Sequence, residues 1–398
     1  MAPELLIFEA IPPTFTLLPP VFRSRRVRVG VCSLAVGLLL TAACQPDKDV
    51  VVPGDAEGPA PAPTPYALVA PHKLFPAFPN TPNNPLTVEG VELGRHLFYE
   101  KQLSGNGTQS CGSCHQQSKA FTDGLAHAIG ADGGAPHRRN TMSLANVVWE
   151  TNLTWDGAGT SLEQQARIPL ENPVEMHQPL IESVRKLQGI AKYPPMFRKA
   201  FGSSKITEDN VLKALAQFER TLISGNSRYD RYAAGDKTAI LPGTDEFQGL
   251  TLFNSHAVPG IRGAECFHCH TPVTFTSPAG QFFNNGLDMT FADPGRGGIT
   301  GAAVDMGAFK APTLRNVALT APYMHDGRFQ TLMQVLDHYS DHVQLQSPNL
   351  HVSLAFSSNN SRTGRMDLTA DEKRQLVAFL HTLTDSTFIK DPRFAAPN

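Results

Sequence analysis

The sequence predicts a mainly α protein made of two similar halves, and three observations carry that expectation. The pentapeptide Cys111-Gly112-Ser113-Cys114-His115 recurs as Cys266-Phe267-His268-Cys269-His270. Each copy follows a Gly-x-x-Leu-Phe run, Gly94 to Phe98 and Gly249 to Phe253, which ends thirteen residues before the first cysteine in both places. Matched spacing upstream of matched motifs indicates duplication. Apolar residues elsewhere keep a helical period, and no run of alternating strands is visible. Cys-x-x-Cys-His is the attachment signature of c-type haem. Two thiols add to the porphyrin vinyls and the adjacent imidazole becomes the proximal iron ligand. A redox dithiol or half a zinc site can also use Cys-x-x-Cys, but neither needs a histidine directly after the second cysteine, twice. The chain is therefore expected to carry two covalently bound c-type haems in two cytochrome-c-like domains with long connecting loops.

In chain order, residues 1–44 have the features of an export signal. Arg23, Arg25, Arg26 and Arg28 form a basic start, Gly30 to Leu40 a short apolar stretch, and Thr41-Ala42-Ala43-Cys44 a small-residue cleavage site. The stretch is too short for a stable span. A cysteine after small residues resembles a lipoprotein box, although threonine stands where leucine is usual, so lipidation at Cys44 competes with plain secretion. The residues before the arginines look like an over-extended start. Residues 45–66 are proline-rich and expected to be a tether. Domains are expected at 67–235 and 236–390. Bacterial cytochromes c mature outside the cytoplasm, so periplasmic localisation is expected, with a lipid anchor at Cys44 as the only link to the membrane.

The 398 residues, 41 % hydrophobic and 18 % charged, suffice for two cores. A formal net charge of -2 gives no argument for a nucleic-acid partner. Of the six cysteines, four lie in the haem motifs and Cys32 and Cys44 in the N-terminal segment, which leaves no pair for a disulfide in the mature domains. Each half is expected to open with an amphipathic helix whose glycine permits close packing, over Val88–Tyr99 in the first. A further helical stripe runs through Val211, Leu212, Leu215, Phe218 and Leu222, capped by Thr207. Thr369-Ala370-Asp371-Glu372 has the form of a capping box before Leu376, Val377, Leu380 and Leu383. Segments 130–136, 278–301 and 345–365 are expected to be loops.

The proximal ligands are His115 and His270, so the sixth positions decide function. An iron with an open site can bind peroxide, whereas one with two strong ligands only passes electrons. Here the chain resembles the bacterial dihaem cytochrome c peroxidases, including MauG-like enzymes, over about residues 67–388. The resemblance rests on both haem motifs, Phe121-Thr122-Asp123-Gly124, Arg139-Asn140-Thr141, Trp155-Asp156-Gly157, Pro173-Val174-Glu175-Met176, Leu314-Arg315-Asn316-Val317 and Thr320-Ala321-Pro322-Tyr323-Met324-His325. It implies a distal Glu175 beside the peroxide-binding N-terminal haem, with Gln165 and Pro169 lining that pocket. A carboxylate there can move a proton between the peroxide oxygens. It implies an electron relay at Trp155, a calcium ion held by Asn140 and the backbones of Thr320 and Pro322, and His325 near the second haem. His127, His137, His177 and His268 read as surface or structural residues.

Two departures from the ordinary family pattern bear on function. The histidine that blocks the first haem in most such peroxidases is replaced near Ala131-Asp132, which implies an open first haem. The methionine that ligates their second haem aligns with Tyr339, with Met324, His338 and His342 as nearby alternatives. Tyrosinate stabilises high-valent iron, whereas methionine raises the potential. Together these are the MauG pattern, and a related arrangement occurs in dihaem enzymes associated with copper-peptide uptake, which oxidise tryptophan on a partner. The resemblance thus implies a hydrogen-peroxide-dependent enzyme that oxidises a residue on an exported partner protein through high-valent haem. The competing expectation is a cytochrome c peroxidase fed by a small cytochrome or cupredoxin. A non-enzymatic electron carrier would not need Glu175, Gln165 and Pro169 at this spacing.

Overall fold

A computed structural model describes residues 58–397 apart from 135, 259, 361 and 362. The expected signal segment, Cys44 and most of the tether lie outside the described residues. Those residues fall in one compact unit. They are helical, with isolated β-bridges and no named strand among them. No helix among them is long and apolar enough to cross a membrane.

Twelve α-helices are present among the described residues. In the first half these are α1 (Val88–Phe98), α2 (Cys111–Cys114), α3 (Leu162–Glu171), α4 (Leu180–Gln188), α5 (Tyr193–Phe201) and α6 (Glu208–Glu219). The chain continues through α7 (Arg228–Ala234), α8 (Asp245–Phe253), α9 (Gly297–Thr300), α10 (Leu332–Asp337), α11 (Val352–Phe356) and α12 (Ala370–His381). Thr207 caps α6 and Thr369 forms the capping box of α12 with Glu372, as their side-chain chemistry dictates.

The Gly-x-x-Leu-Phe runs explain how each half is built. In α1, a Cβ placed on Gly94 would lie 2.0 Å from the Ala214 carbonyl oxygen of α6. In α8, a Cβ on Gly249 would lie 2.0 Å from the Gln375 carbonyl oxygen of α12. Only glycine allows either crossing. Next to each, an aromatic pair repeats: Phe98–Phe218 and Phe253–Phe379 both have centroids 5.2 Å apart and planes at 59°. The expected duplication is therefore present in the packing. Gly249→Ala forces two backbones apart and is expected to cost about 1–3 kcal/mol, the usual penalty of overpacking. A lowered denaturation midpoint of the holoprotein, with Gly94→Ala behaving alike, checks this.

Two apolar cores result, one around Leu97, Phe98, Phe121 and Phe218 and the other around Phe253, Phe275, Leu376 and Phe379. Segments cross between the halves in both directions. Tyr229 of α7, N-terminal to the expected 235/236 boundary, packs in the second core, as does Phe75. Phe388 and Phe394 pack in the first, where Gln117 Nε2 donates to the Phe388 carbonyl and the Tyr99 hydroxyl donates to that of Phe394 at 2.7 Å.

Candidate active site

Both cysteine motifs are partly buried, with Cys111 packed against the first core and Cys266 against the second. Burial pushes the Cys114 thiol up to about 11 and those of Cys266 and Cys269 to about 12, and raises Cys111 further. Such thiols stay protonated at neutral pH, unlike the low-pKa thiolates of redox dithiols. His115 Nδ1 lies 2.9 Å from the Phe121 carbonyl. His270 Nδ1 faces the carbonyls of Pro312 at 3.1 Å and Phe275 at 3.4 Å. These bonds fix the proton on Nδ1 and leave Nε2 as the ligating atom of each ring. Burial also holds both imidazoles neutral, His270 at about 4. Two thiols and one oriented neutral imidazole per half fit covalent c-type haem.

In the first half, Gln165 and Pro169 are one turn apart on α3 and so share a face. Glu175 follows in a tight turn in which Asn172 Nδ2 donates to Glu175 Oε1 at 2.9 Å and the Glu175 N–H donates to the Asn172 carbonyl at 3.0 Å. Its negative charge adds a little to the upward push on the Cys111 and Cys114 thiols. The loop around Ala131 and Asp132 is pinned to this turn. The Ala131 N–H donates to the Glu175 carbonyl at 2.7 Å, and Asp132 pairs with His177.

His137, expected to be a surface or structural residue, is half-buried and has a partner that its sequence context does not suggest. Its Nε2 lies 3.0 Å from Glu175 Oε1, and its Nδ1 lies beside the Arg139 backbone. The Glu175 hydrogen bond raises the imidazole above its ordinary range, against opposition from partial burial and the Arg139 charge. The pair's stabilisation is complete below the ordinary imidazole pKa and is lost as pH rises through the raised value. The pH profile of peroxide consumption is accordingly expected to carry an ionisation above the usual imidazole value that vanishes in His137→Gln. Profiles of the two proteins check this.

The second half holds an apolar cavity lined by Cys266, Cys269, His270, Met324, Tyr339 and Leu376 among others, with Trp155 and His325 also in its wall. Tyr339 sits in a π-helical turn, His338–His342, at the end of α10. Such turns are frequent at functional sites. Burial pushes its phenol up to about 12, so it ionises at neutral pH only if a cation meets its oxygen. Asn285 Nδ2 lies 3.4 Å from Tyr339 Oη and 3.5 Å from Met324 Sδ, which keeps Met324 beside it. His338 Nε2 is engaged by the Asn285 carbonyl at 3.0 Å, and exposed His342 by that of Asp337 at 2.9 Å.

Between the motifs, Trp155 is 8 % exposed and its Nε1 donates to the Asn140 carbonyl at 2.8 Å. The Asn140 N–H donates to the His325 carbonyl at 2.7 Å, and Asn140 Nδ2 to that of Leu125, also at 2.7 Å. His325 stacks on Phe309 at 3.9 Å, with Trp155 edge-on at 6.5 Å. Asn140, Thr320 and Pro322 line this same cavity. Arg139 bridges Asp156 and Asp293 and thereby anchors the Trp155 turn.

The duplication extends further than the haem motifs. Trp155-Asp156-Gly157 and His325-Asp326-Gly327 stand 170 positions apart, and so do Pro169 and Tyr339. Asn146 (φ 66°) and Asn316 (φ 61°) open matching 3-10 turns and donate to the Leu222 and Leu383 carbonyls. Thr154 and Met324 (φ 65° and 73°) precede the two Asp-Gly turns, and Ser161 and Thr331 cap α3 and α10. One structural slot thus carries proline in the first half and tyrosine in the second. Proline offers no side-chain ligand; tyrosine offers an oxygen.

Comparison with known proteins agrees with this geometry. A family model described as di-haem cytochrome c peroxidase matches residues 88–238. The chain is 39% identical over 320 residues to the methylamine utilization protein MauG of Methylorubrum extorquens, covering 80% of this chain and 84% of that protein. It is 32% identical over 311 residues to the cytochrome c551 peroxidase of Nitrosomonas europaea, covering 76% and 81% respectively. Among solved structures, a MauG-like protein associated with microbial copper homeostasis is 39% identical and superposes with a TM-score of 0.70 over 82% of this chain and 97% of that one. The dihaem peroxidase BthA of Burkholderia thailandensis, at 22% identity, shares the fold with a TM-score of 0.65 over 85% of this chain and 95% of that one.

Proposed function

The chain belongs to the dihaem cytochrome c peroxidase family, which makes it a peroxide-dependent oxidoreductase with two c-type haems, and from that premise we propose that it is of the MauG-like type. The observation that carries the proposal is the shared slot, Pro169 in one half and Tyr339 in the other. The first haem, held by Cys111, Cys114 and His115, would be open to hydrogen peroxide at rest. The second would be held by Cys266, Cys269 and His270, with Tyr339 as a further ligand. When bound, the two haems accept the two oxidising equivalents of peroxide and pass them on.

The chain's own groups set up that chemistry. Glu175 takes the proton from one peroxide oxygen and returns it to the other, which makes water the leaving group. Asn172 and His137 hold its Oε1, and Gln165 and Pro169 shape the pocket. Trp155 relays charge between the halves, with its indole N–H anchored on Asn140. Asn140 and the carbonyls of Thr320 and Pro322 supply oxygen donors suited to one Ca2+ beside His325. The substrate is a tryptophan or tyrosine residue on another exported protein, encountered in the periplasm. The alternative partner is a small cytochrome or cupredoxin that donates electrons, as an ordinary cytochrome c peroxidase requires.

Steady-state turnover separates these partners. With peroxide and a reduced small cytochrome c, the holoprotein is expected to show only slow cytochrome oxidation. With peroxide and periplasmic protein from the source cell, mass spectrometry is expected to find a tryptophan or tyrosine oxidised in one partner. Fast, saturable cytochrome oxidation without protein modification would overturn the MauG-like assignment.

A further inference from the structure

The second haem motif carries a side-chain cluster that peroxide chemistry does not use. Glu265, immediately before Cys266, is 8 % exposed. Its Oε1 accepts the Ala257 N–H at 2.5 Å, which leaves Oε2 to face two imidazoles. His268 Nε2 lies 2.7 Å from that oxygen and His256 Nδ1 lies 3.2 Å from it. All three ligand atoms lie within 4.8 Å of one another. His256 is exposed and His268 half-buried, so solvent reaches the cluster from one side while the carboxylate is rooted in the protein.

We propose that His256, Glu265 and His268 form a binding site for one divalent transition-metal ion that favours imidazole, Zn2+ or Cu2+. Ligand atoms held at about 2.0–2.2 Å from a tetrahedral ion stand roughly 3.3 Å apart, so the present separations need only small side-chain rotations. The Ala257 hydrogen bond pre-orients the carboxylate as a one-oxygen donor, which is how outer partners usually fix a metal ligand. Two nitrogens and one oxygen select against Ca2+ and Mg2+, which require six or more oxygens. The fourth position opens to solvent. An ion here would place positive charge beside Cys266, at the edge of the second haem.

The test uses untagged, haem-loaded full-length protein, stripped with a chelator. Calorimetric titration with Zn2+ is expected to show one site per chain, weakened at least tenfold in His256→Ala and in Glu265→Gln and unchanged in His381→Ala, which removes an exposed imidazole elsewhere. Cu2+ is expected to give an axial EPR signal with nitrogen couplings that His256→Ala abolishes. His256 is exposed, so its truncation leaves the fold intact, and an unaltered haem spectrum verifies this. Wild-type protein that binds neither ion below about 1 mM, or variants that bind as wild type does, would overturn the proposal.

Discussion

Glu175→Gln is expected to slow peroxide consumption by about 10²–10⁴-fold, the usual contribution of a positioned proton-transfer group. Glutamine keeps the shape of the side chain and can still accept from Asn172 Nδ2 at the 2.9 Å contact, so the pocket stays formed. It cannot carry a proton from one peroxide oxygen to the other. The loss is therefore expected in the rate of the first step, with the resting absorption spectrum of both haems unchanged. Stopped-flow mixing of ferric protein with peroxide measures it. A rate within threefold of wild type would remove Glu175 from proton transfer and leave it as an anchor for the 130–137 loop, through the Ala131 N–H.

Tyr339→Phe is expected to change the second haem without closing the first. The phenol oxygen has Asn285 Nδ2 3.4 Å away, a long and weak contact. Removal of the hydroxyl thus costs about 1 kcal/mol of stability or less. If Tyr339 is the ligand proposed above, the substitution removes it completely. Low-spin character at the second haem is expected to disappear from the resting spectrum, while peroxide still reacts at the first. Electronic sharing between the halves through Trp155 is expected to fall with it. If Tyr339→Phe retains the wild-type low-spin signal, the ligand is the neighbouring Met324, and Tyr339→Phe with Met324→Leu would then abolish it.

Local chemistry explains why some of this was legible in the sequence. The haem motifs and the Gly-x-x-Leu-Phe runs are contiguous, and each constraint they impose, a thioether spacing or a helix crossing at Gly94 and Gly249, is met within a few residues or by one partner helix. Thr207 and Thr369 are likewise local caps. His137 was not legible as a partner of Glu175, because its pairing depends on a loop folding back across 38 positions. The resemblance implies a calcium ligand at Asn140, yet the residue also joins Trp155, His325 and Leu125 through three hydrogen bonds. His338 is buried with its Nε2 on the Asn285 carbonyl, and His342 is exposed with its Nδ1 on the Asp337 carbonyl, contacts with no local sequence pattern. The equivalence of Pro169 and Tyr339 was present in the sequence as a 170-residue offset, but the two residues share no chemistry, and only the matched turns and caps around them reveal the slot. The crossing of Phe75, Tyr229, Phe388 and Phe394 between cores has no sequence signature at all, since an apolar residue does not specify which core it joins.

The most direct test of the central claim is the resting ferric EPR spectrum of the holoprotein, recorded before and after one equivalent of peroxide with no reductant. An open first haem and a tyrosine-ligated second haem predict one high-spin and one low-spin signal, both lost on peroxide addition. Two low-spin signals that persist until one haem is reduced would contradict the account and make this protein a conventional cytochrome c peroxidase.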